Sequence, residues 1–108
     1  TDAQRQGFRK AVKAGVKISY GTDSGVYPHG DNGRQFPYMV KYGMTPLQAL
    51  QSATLVSAEL LGKEKDLGSI SVGKFADLVA VECDPLQDVE CLRKVRGVVK
   101  AGQPVSLD

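Results

Sequence analysis

The chain has 108 residues, with 14 Lys plus Arg against 12 Asp plus Glu, a formal charge of +2. Hydrophobic residues are 42% and charged residues 24%, an ordinary globular composition that excludes a disordered chain. There is no apolar run of about 18 residues to span a membrane. The charge is too balanced for a nucleic-acid or acidic-lipid footprint. The length allows one domain with a modest core, and is too short for an eightfold α/β barrel, which needs at least about 200 residues.

Thr1-Asp2-Ala3-Gln4 has the form of a capping box, and Phe8, Ala11 and Val12 recur at helical spacing. Gly15 is a natural residue past a helix end, so residues 2–14 are expected to be an amphipathic helix. Val16, Ile18 and Tyr20 alternate with Lys17 and Ser19, which predicts a short strand. Helix, glycine, strand is the αβ step of an α/β protein. Residues 21–33 are rich in glycine and read as a long loop after that strand, where α/β folds bind ligands. Three helices are expected over about 34–62: one with Phe36, Met39 and Val40, one capped by Thr45-Pro46-Leu47-Gln48, and one capped by Thr54. The two methionines, Met39 and Met44, most simply fill a core.

Lys63-Glu64-Lys65-Asp66 is a solvated charge run and marks a boundary. Beyond it, strand-like pieces are expected at 69–72, 76–81, 95–100 and around Val105, with a helical turn carrying Val89 and Leu92. Val79 and Val81 alternate with Leu78 and Ala80, so both faces of that strand are expected to be covered. Cys83 and Cys91 have neither zinc-ribbon nor redox CxxC spacing, and with no visible secretion signal they read as free thiols. Thr1-Asp2-Ala3-Gln4 has no starter Met, basic n-region or apolar h-region. It reads as the middle of a longer chain, which leaves the compartment open, with the cytoplasm as default.

The chemistry-bearing residues gather in the long loop. Asp23 follows a strand and stands between Gly21 and Gly25. A carboxylate there can bind a metal or move a proton, or simply cap a turn. Ser24, His29 and Asp23 or Asp31 suggest a hydrolytic triad, but the Gly-x-Ser-x-Gly elbow is absent and triad members usually converge from distant positions. His29, the only histidine, is either an ordinary loop residue or a ligand contact. Lys74 lacks the Ser or Thr that follows a phosphate-loop lysine, and Asp31-Asn32-Gly33 lacks the later ligands of a calcium loop. Asp77 is expected to be structural.

Taken in order, Ala14-Gly15-Val16 through Gly21-Thr22-Asp23-Ser24-Gly25, Pro28-His29-Gly30, Gly43-Met44-Thr45-Pro46-Leu47-Gln48-Ala49-Leu50, Ala58-Glu59-Leu60-Leu61-Gly62, Leu67-Gly68-Ser69-Ile70-Ser71-Val72-Gly73-Lys74-Phe75-Ala76-Asp77-Leu78 and Asp84-Pro85-Leu86 form a series. This series resembles the C-terminal end of metal-dependent amidohydrolases, in the imidazolonepropionase-like branch that includes Xaa-Pro dipeptidases (prolidases). The resemblance implies an α/β fold: residues 1–66 as the last αβ units of a TIM-type barrel, and 67–108 as the C-terminal strands of a small β-sandwich. It implies that Asp23 ligates a divalent metal, zinc by expectation, and shuttles a proton during hydrolysis of an amide or peptide C–N bond. Tyr27 and His29, on the following loop, are placed for substrate contact, with a small molecule or an Xaa-Pro dipeptide as substrate.

The family's His-x-His pair and further ligands lie on earlier strands absent from this sequence, and one Asp cannot hold a catalytic zinc. The isolated segment is therefore expected to be inactive, to need the rest of its own chain, and to self-associate through exposed apolar faces, with a homo-oligomer as a further option. The alternative is a non-catalytic relic or interaction module, which would begin near Thr1 and fold alone.

Overall fold

The computed structural model describes residues 2–21 and 32–107. Helix α1 spans Asp2–Lys13, as its apolar spacing predicts, with Asp2 in the first turn and Lys10 and Lys13 in the last, matching the helix dipole. Thr1, the expected cap, lies outside the described residues. Gly15 follows in the left-handed region, φ 76°, and turns the chain back. Arg5 and Arg9 of α1 both place their guanidinium groups 5.3 Å from the ring centre of Tyr42, within range of cation–π attraction.

A 3₁₀ turn at Asn32–Arg34 leads into α2, Gln35–Lys41. Helix α3 spans Pro46–Ala53 and α4 spans Leu55–Leu60. The capping box at the start of α3 is formed in both directions. Gln48 N–H donates to Thr45 Oγ1 at 3.1 Å, and Thr45 N–H donates to Gln48 Oε1 at 2.9 Å, with Pro46 occupying a position that needs no donor. The expected Thr54 cap is corrected. Its hydroxyl donates backwards to the Leu50 carbonyl at 2.8 Å, so α4 begins without a side-chain cap. Ala49, Ser52 and Ala58 are the buried residues of α3 and α4, and Met44 joins them; Met39 is only half-buried. These small side chains let the two helices pack closely, with little apolar surface removed from water.

The C-terminal part holds a three-stranded antiparallel sheet in the order β1–β2–β3: Leu78–Val81, Val95–Lys100 and Gln103–Val105. Val79 pairs with Val98, and Val98 in turn with Val105. A two-residue turn joins β2 to β3, with Ala101 at φ 51° and Gly102 at φ 79°, the conformation that matches strand twist. Asp77 pins this turn. Its carboxylate accepts from Ala101 N–H at 2.8 Å and from Lys100 Nζ at 3.2 Å. The Ala101 N–H bond first, and the Lys100 ammonium second, hold the Asp77 carboxyl below its ordinary value. Asp77 is thus structural, as expected.

Three expectations are corrected here. Residues 69–72 are not a strand; they belong to a loop closed by Phe75 N–H on the Asp66 carbonyl at 2.9 Å, and Ile70 and Val72 stand in solvent. The β1 faces are not both covered: Leu78, Val79 and Ala80 are all exposed. Third, Cys83 and Cys91 form a disulfide, with Cα atoms 5.5 Å apart. The reason is local geometry. A 3₁₀ segment, Val89–Arg93, is started by Asp88, whose carboxylate accepts from Glu90 N–H at 3.0 Å, and it folds Cys91 back against the end of β1. The free-thiol expectation rested on compartment and ignored this turn.

The disulfide closes a loop of eight intervals, for which the chain-entropy relation gives about 2.5 kcal/mol. Reduction should therefore lower the denaturant midpoint of the full-length protein by the equivalent of about 2–3 kcal/mol. Thiol titration of the unfolded protein before and after reduction checks the assignment: no thiol signal from this pair before reduction is expected, and a signal there would contradict it.

The Val89–Arg93 segment also joins the two parts of the chain. It packs against α2, against the 3₁₀ turn at Asn32–Arg34, and against β1. Val89 and Cys91 are its buried residues. No described helix is long and apolar enough to cross a membrane.

Candidate active-site base and family

Residues 16–20, expected from their alternation to be a short strand, are corrected: they form no strand, and no described segment pairs with them. A parallel strand takes its neighbours from distant parts of a chain, so alternation alone does not supply them. Here the segment is held from one side by α3 and α4. Tyr20 N–H donates to the Ser52 carbonyl at 2.9 Å. Ser57 Oγ donates to the same carbonyl at 2.6 Å, which uses its only proton, so Ser19 is the donor in the 2.7 Å contact between the two hydroxyls. Lys17 forms an ion pair with Glu59. Ser52 Oγ donates to the Ala49 carbonyl at 2.6 Å, so this buried hydroxyl is satisfied within α3.

This segment points its C-terminal end at Gly21, the last described residue before the sequence carrying Asp23. Asp23, Tyr27 and His29, the predicted site residues, lie outside the described residues, as does Ser24. Description resumes at Asn32. The ends of the intervening stretch are joined: Tyr20 Oη donates to the Asn32 carbonyl. The Tyr20 ring stacks on Phe36, with centroids 4.3 Å apart and planes 25° from parallel. Next to Asn32, Gly33 lies so close to the Val89–Arg93 segment that a Cβ would stand 2.7 Å from the Leu92 carbonyl oxygen. Only glycine fits there without a backbone shift. The sequence reading missed Tyr20. The available signal was an aromatic phenol ending an otherwise aliphatic alternation of Val16 and Ile18.

Among the described residues, no group of three or more His, Cys, Asp or Glu side chains converges as a metal site would require. The sequence between Gly21 and Asn32 adds two carboxylates, Asp23 and Asp31, and one imidazole, His29, all outside the described residues.

The helices and the C-terminal antiparallel sheet make a small α/β piece, and residues 1–105 match the amidohydrolase family. The chain belongs to that family. It is 48% identical to a Xaa-Pro dipeptidase solved with methionine bound in its active site, with a TM-score of 0.90, over 94% of this chain and 25% of that one. It is 33% identical over 99 residues to an ochratoxinase of Aspergillus niger, covering 90% of this chain and 20% of the relative. An imidazolonepropionase of Shouchella clausii is 31% identical over 105 residues, again 90% of this chain and 23% of the relative. The expected amidohydrolase kinship, in the imidazolonepropionase and Xaa-Pro dipeptidase branch, is therefore correct, and the chain spans a fifth to a quarter of the length of these proteins.

Proposed function

We propose that the chain is the C-terminal share of a metal-dependent hydrolase acting on an amide or peptide C–N bond, with Xaa-Pro dipeptides as the first substrates to try. The observation that carries this reading is the close likeness, over nearly the whole chain, to a Xaa-Pro dipeptidase. In this reading residues 1–66 are the last αβ units of a TIM-type barrel and 67–108 the C-terminal strands of a β-sandwich. The stretch at 16–20 is then the last barrel strand, whose strand neighbours come from upstream. The exposed apolar side chains, among them Leu60, Leu61, Ile70, Val72 and Phe75, are surface that the remainder of the chain covers.

The reaction requires a divalent metal, zinc by expectation, whose Lewis acidity makes water a nucleophile near neutral pH. Asp23 contributes one ligand atom, with the others upstream. Its carboxylate takes a proton from the attacking water and returns it to the leaving amine, the two halves of general base and general acid catalysis. Tyr27 and His29 contact the substrate.

The test is the full-length gene product. It should carry a His-x-His upstream, bind a stoichiometric divalent metal by elemental analysis, and release amino acids from Xaa-Pro dipeptides in a chelator-sensitive way. The 108-residue segment alone should show no turnover. A native product beginning near Thr1, without upstream ligands and folding as a stable monomer, would establish the non-catalytic module instead.

A further inference from the structure

We propose that Cys83 is a thiol–disulfide exchange site for small cationic thiols, with the buried Cys91 as the sulfur that leaves and later recloses the bridge. The proposal is independent of the reaction assigned above. It rests on residues 78–96, all of them described.

In exchange a thiolate must reach a bridge sulfur from outside, so access decides which of the two is attacked. The ends of this bridge differ. Cys83 is exposed, in the bend that follows β1, whereas Cys91 is 1% exposed. The Asp84 carbonyl oxygen adds to the cover of Cys91, 3.7 Å from its Sγ. An incoming thiolate therefore bonds to the Cys83 Sγ. The S–S bond breaks, its electron pair leaves with the Cys91 Sγ, and that sulfur takes a proton from water. A second external thiol then attacks the mixed disulfide, which frees the Cys83 thiol and gives the external disulfide. The two external thiols supply the two electrons. Without a second thiol, the Cys91 thiolate attacks the Cys83 Sγ, expels the first thiol and recloses the bridge.

Charge selects the thiol. Glu82, Asp84, Asp88 and Glu90 stand beside and between the two cysteines. Arg96 pairs with Glu82 at 3.0 Å and Arg93 with Glu90 at 3.5 Å. Asp84 and Asp88 accept from Leu86 N–H at 2.9 Å and Glu90 N–H at 3.0 Å, with no ion-pair partner among the described residues. The approach to Cys83 is therefore negative, and it favours a thiol that carries an ammonium group over one that carries an anion. Opening also releases a contact. The Val89–Arg93 segment packs against α2 and β1, and the bridge is its covalent tie back to the end of β1.

The experiment treats the oxidised full-length protein briefly with cysteamine, quenches with acid and maps the mixed disulfide by peptide mass spectrometry. The adduct is expected on Cys83 in about tenfold or greater excess over Cys91, which is reached only by a local opening. An adduct on Cys91, or one shared evenly, overturns the proposal, and so does a bridge that resists cysteamine until the protein is denatured. Should reclosure deplete the adduct, single-cysteine variants carry the test with cystamine as donor. Cys91→Ser should be labelled at Cys83 in the native state, and Cys83→Ser should be labelled at Cys91 only in denaturant; equal native labelling overturns the proposal.

A unit charge about 7 Å away in water changes a rate about 3-fold. Per thiolate, cysteamine should open the bridge about 3- to 10-fold faster than 2-mercaptoethanesulfonate at low salt, with the difference lost near about 1 M salt. Equal rates at low salt overturn the selection by charge. In the opened protein, amide exchange should rise at Cys91 and Lys94, whose N–H groups donate to the Asp88 and Cys91 carbonyls, by up to about 70-fold, the factor set by loop closure. Unchanged exchange there would overturn the release of the segment.

Discussion

Asp23→Asn in the full-length enzyme is expected to lower kcat by about 10²- to 10⁴-fold, the range by which a positioned general base or acid accelerates a reaction. Asparagine keeps the size of the side chain and one oxygen that can face a cation. It cannot take a proton from water and hand it to an amine. The variant therefore separates the two roles assigned to this carboxylate. Asp23→Ala removes the ligand oxygen as well, so it should lose bound metal in elemental analysis where Asp23→Asn retains some. Substrate binding, proposed to run through Tyr27 and His29, should be disturbed less than turnover, so the loss should fall mainly on kcat. Near-normal kcat in Asp23→Asn would remove Asp23 from proton transfer and send the search for the base to another carboxylate.

Gly68→Ala should be strongly destabilising, at about 2–5 kcal/mol from backbone strain and overpacking together. Gly68 has φ +102°, where an L side chain is strained. It also lies against α4: an added Cβ would stand 2.9 Å from the Ala58 Cβ, 3.1 Å from the Thr54 carbonyl oxygen and 3.4 Å from the Leu55 Cα. Two of these neighbours are backbone atoms and the third is a buried alanine, so none can swing away. Gly73 supplies the control. Its φ is +90°, yet nothing lies within 4 Å of the same added atom. Gly73→Ala should carry only the backbone strain, about 1–3 kcal/mol. Denaturant midpoints of the two variants, at matching slope, give the difference directly. Equal losses at the two positions would mean that the loop at 68 does not rest on α4 as described.

What the residues revealed by themselves was local. The α3 start could be read because Thr45, Pro46 and Gln48 stand in a fixed relation over a single turn, and each of their bonds is made within it. The β2–β3 hairpin was legible as strand pieces around Ala101-Gly102, since the turn needs only its own two residues to adopt positive φ. Failures came where a partner is distant. Alternation at Val16, Ile18 and Tyr20 predicts a strand, but a strand needs pairing partners, and no described segment supplies them. Ile70 and Val72 have strand-forming side chains, yet the backbone there is spent on a loop closed from Asp66 to Phe75. The cysteine pair was misread because the 3₁₀ turn that joins it is set by Asp88, a residue with no sulfur chemistry of its own. At the candidate site, Asp23 is proposed from its neighbours in sequence and from family resemblance, and it lies outside the described residues. Tyr20 was not found, since its hydroxyl reaches a carbonyl 12 residues away and no short motif encodes that. The charge run at 63–66 was read as a boundary, and the chain does turn in solvent there, but Gly68 then brings it straight back onto α4.

The sheet has a consequence for time rather than energy. Its strands are consecutive neighbours, β1 to β2 to β3, so no pairing within it waits for a remote segment. The β2–β3 hairpin closes over two residues, and such ribbons form in about 1–10 μs. The stretch at 16–20, by contrast, has its hydrogen bonds to Ser52 and Ser57 across more than thirty positions, the kind of separation that slows assembly. On refolding of the complete chain the two halves should therefore mature on different clocks, with the meander set early and the contacts of the 16–20 stretch completed last.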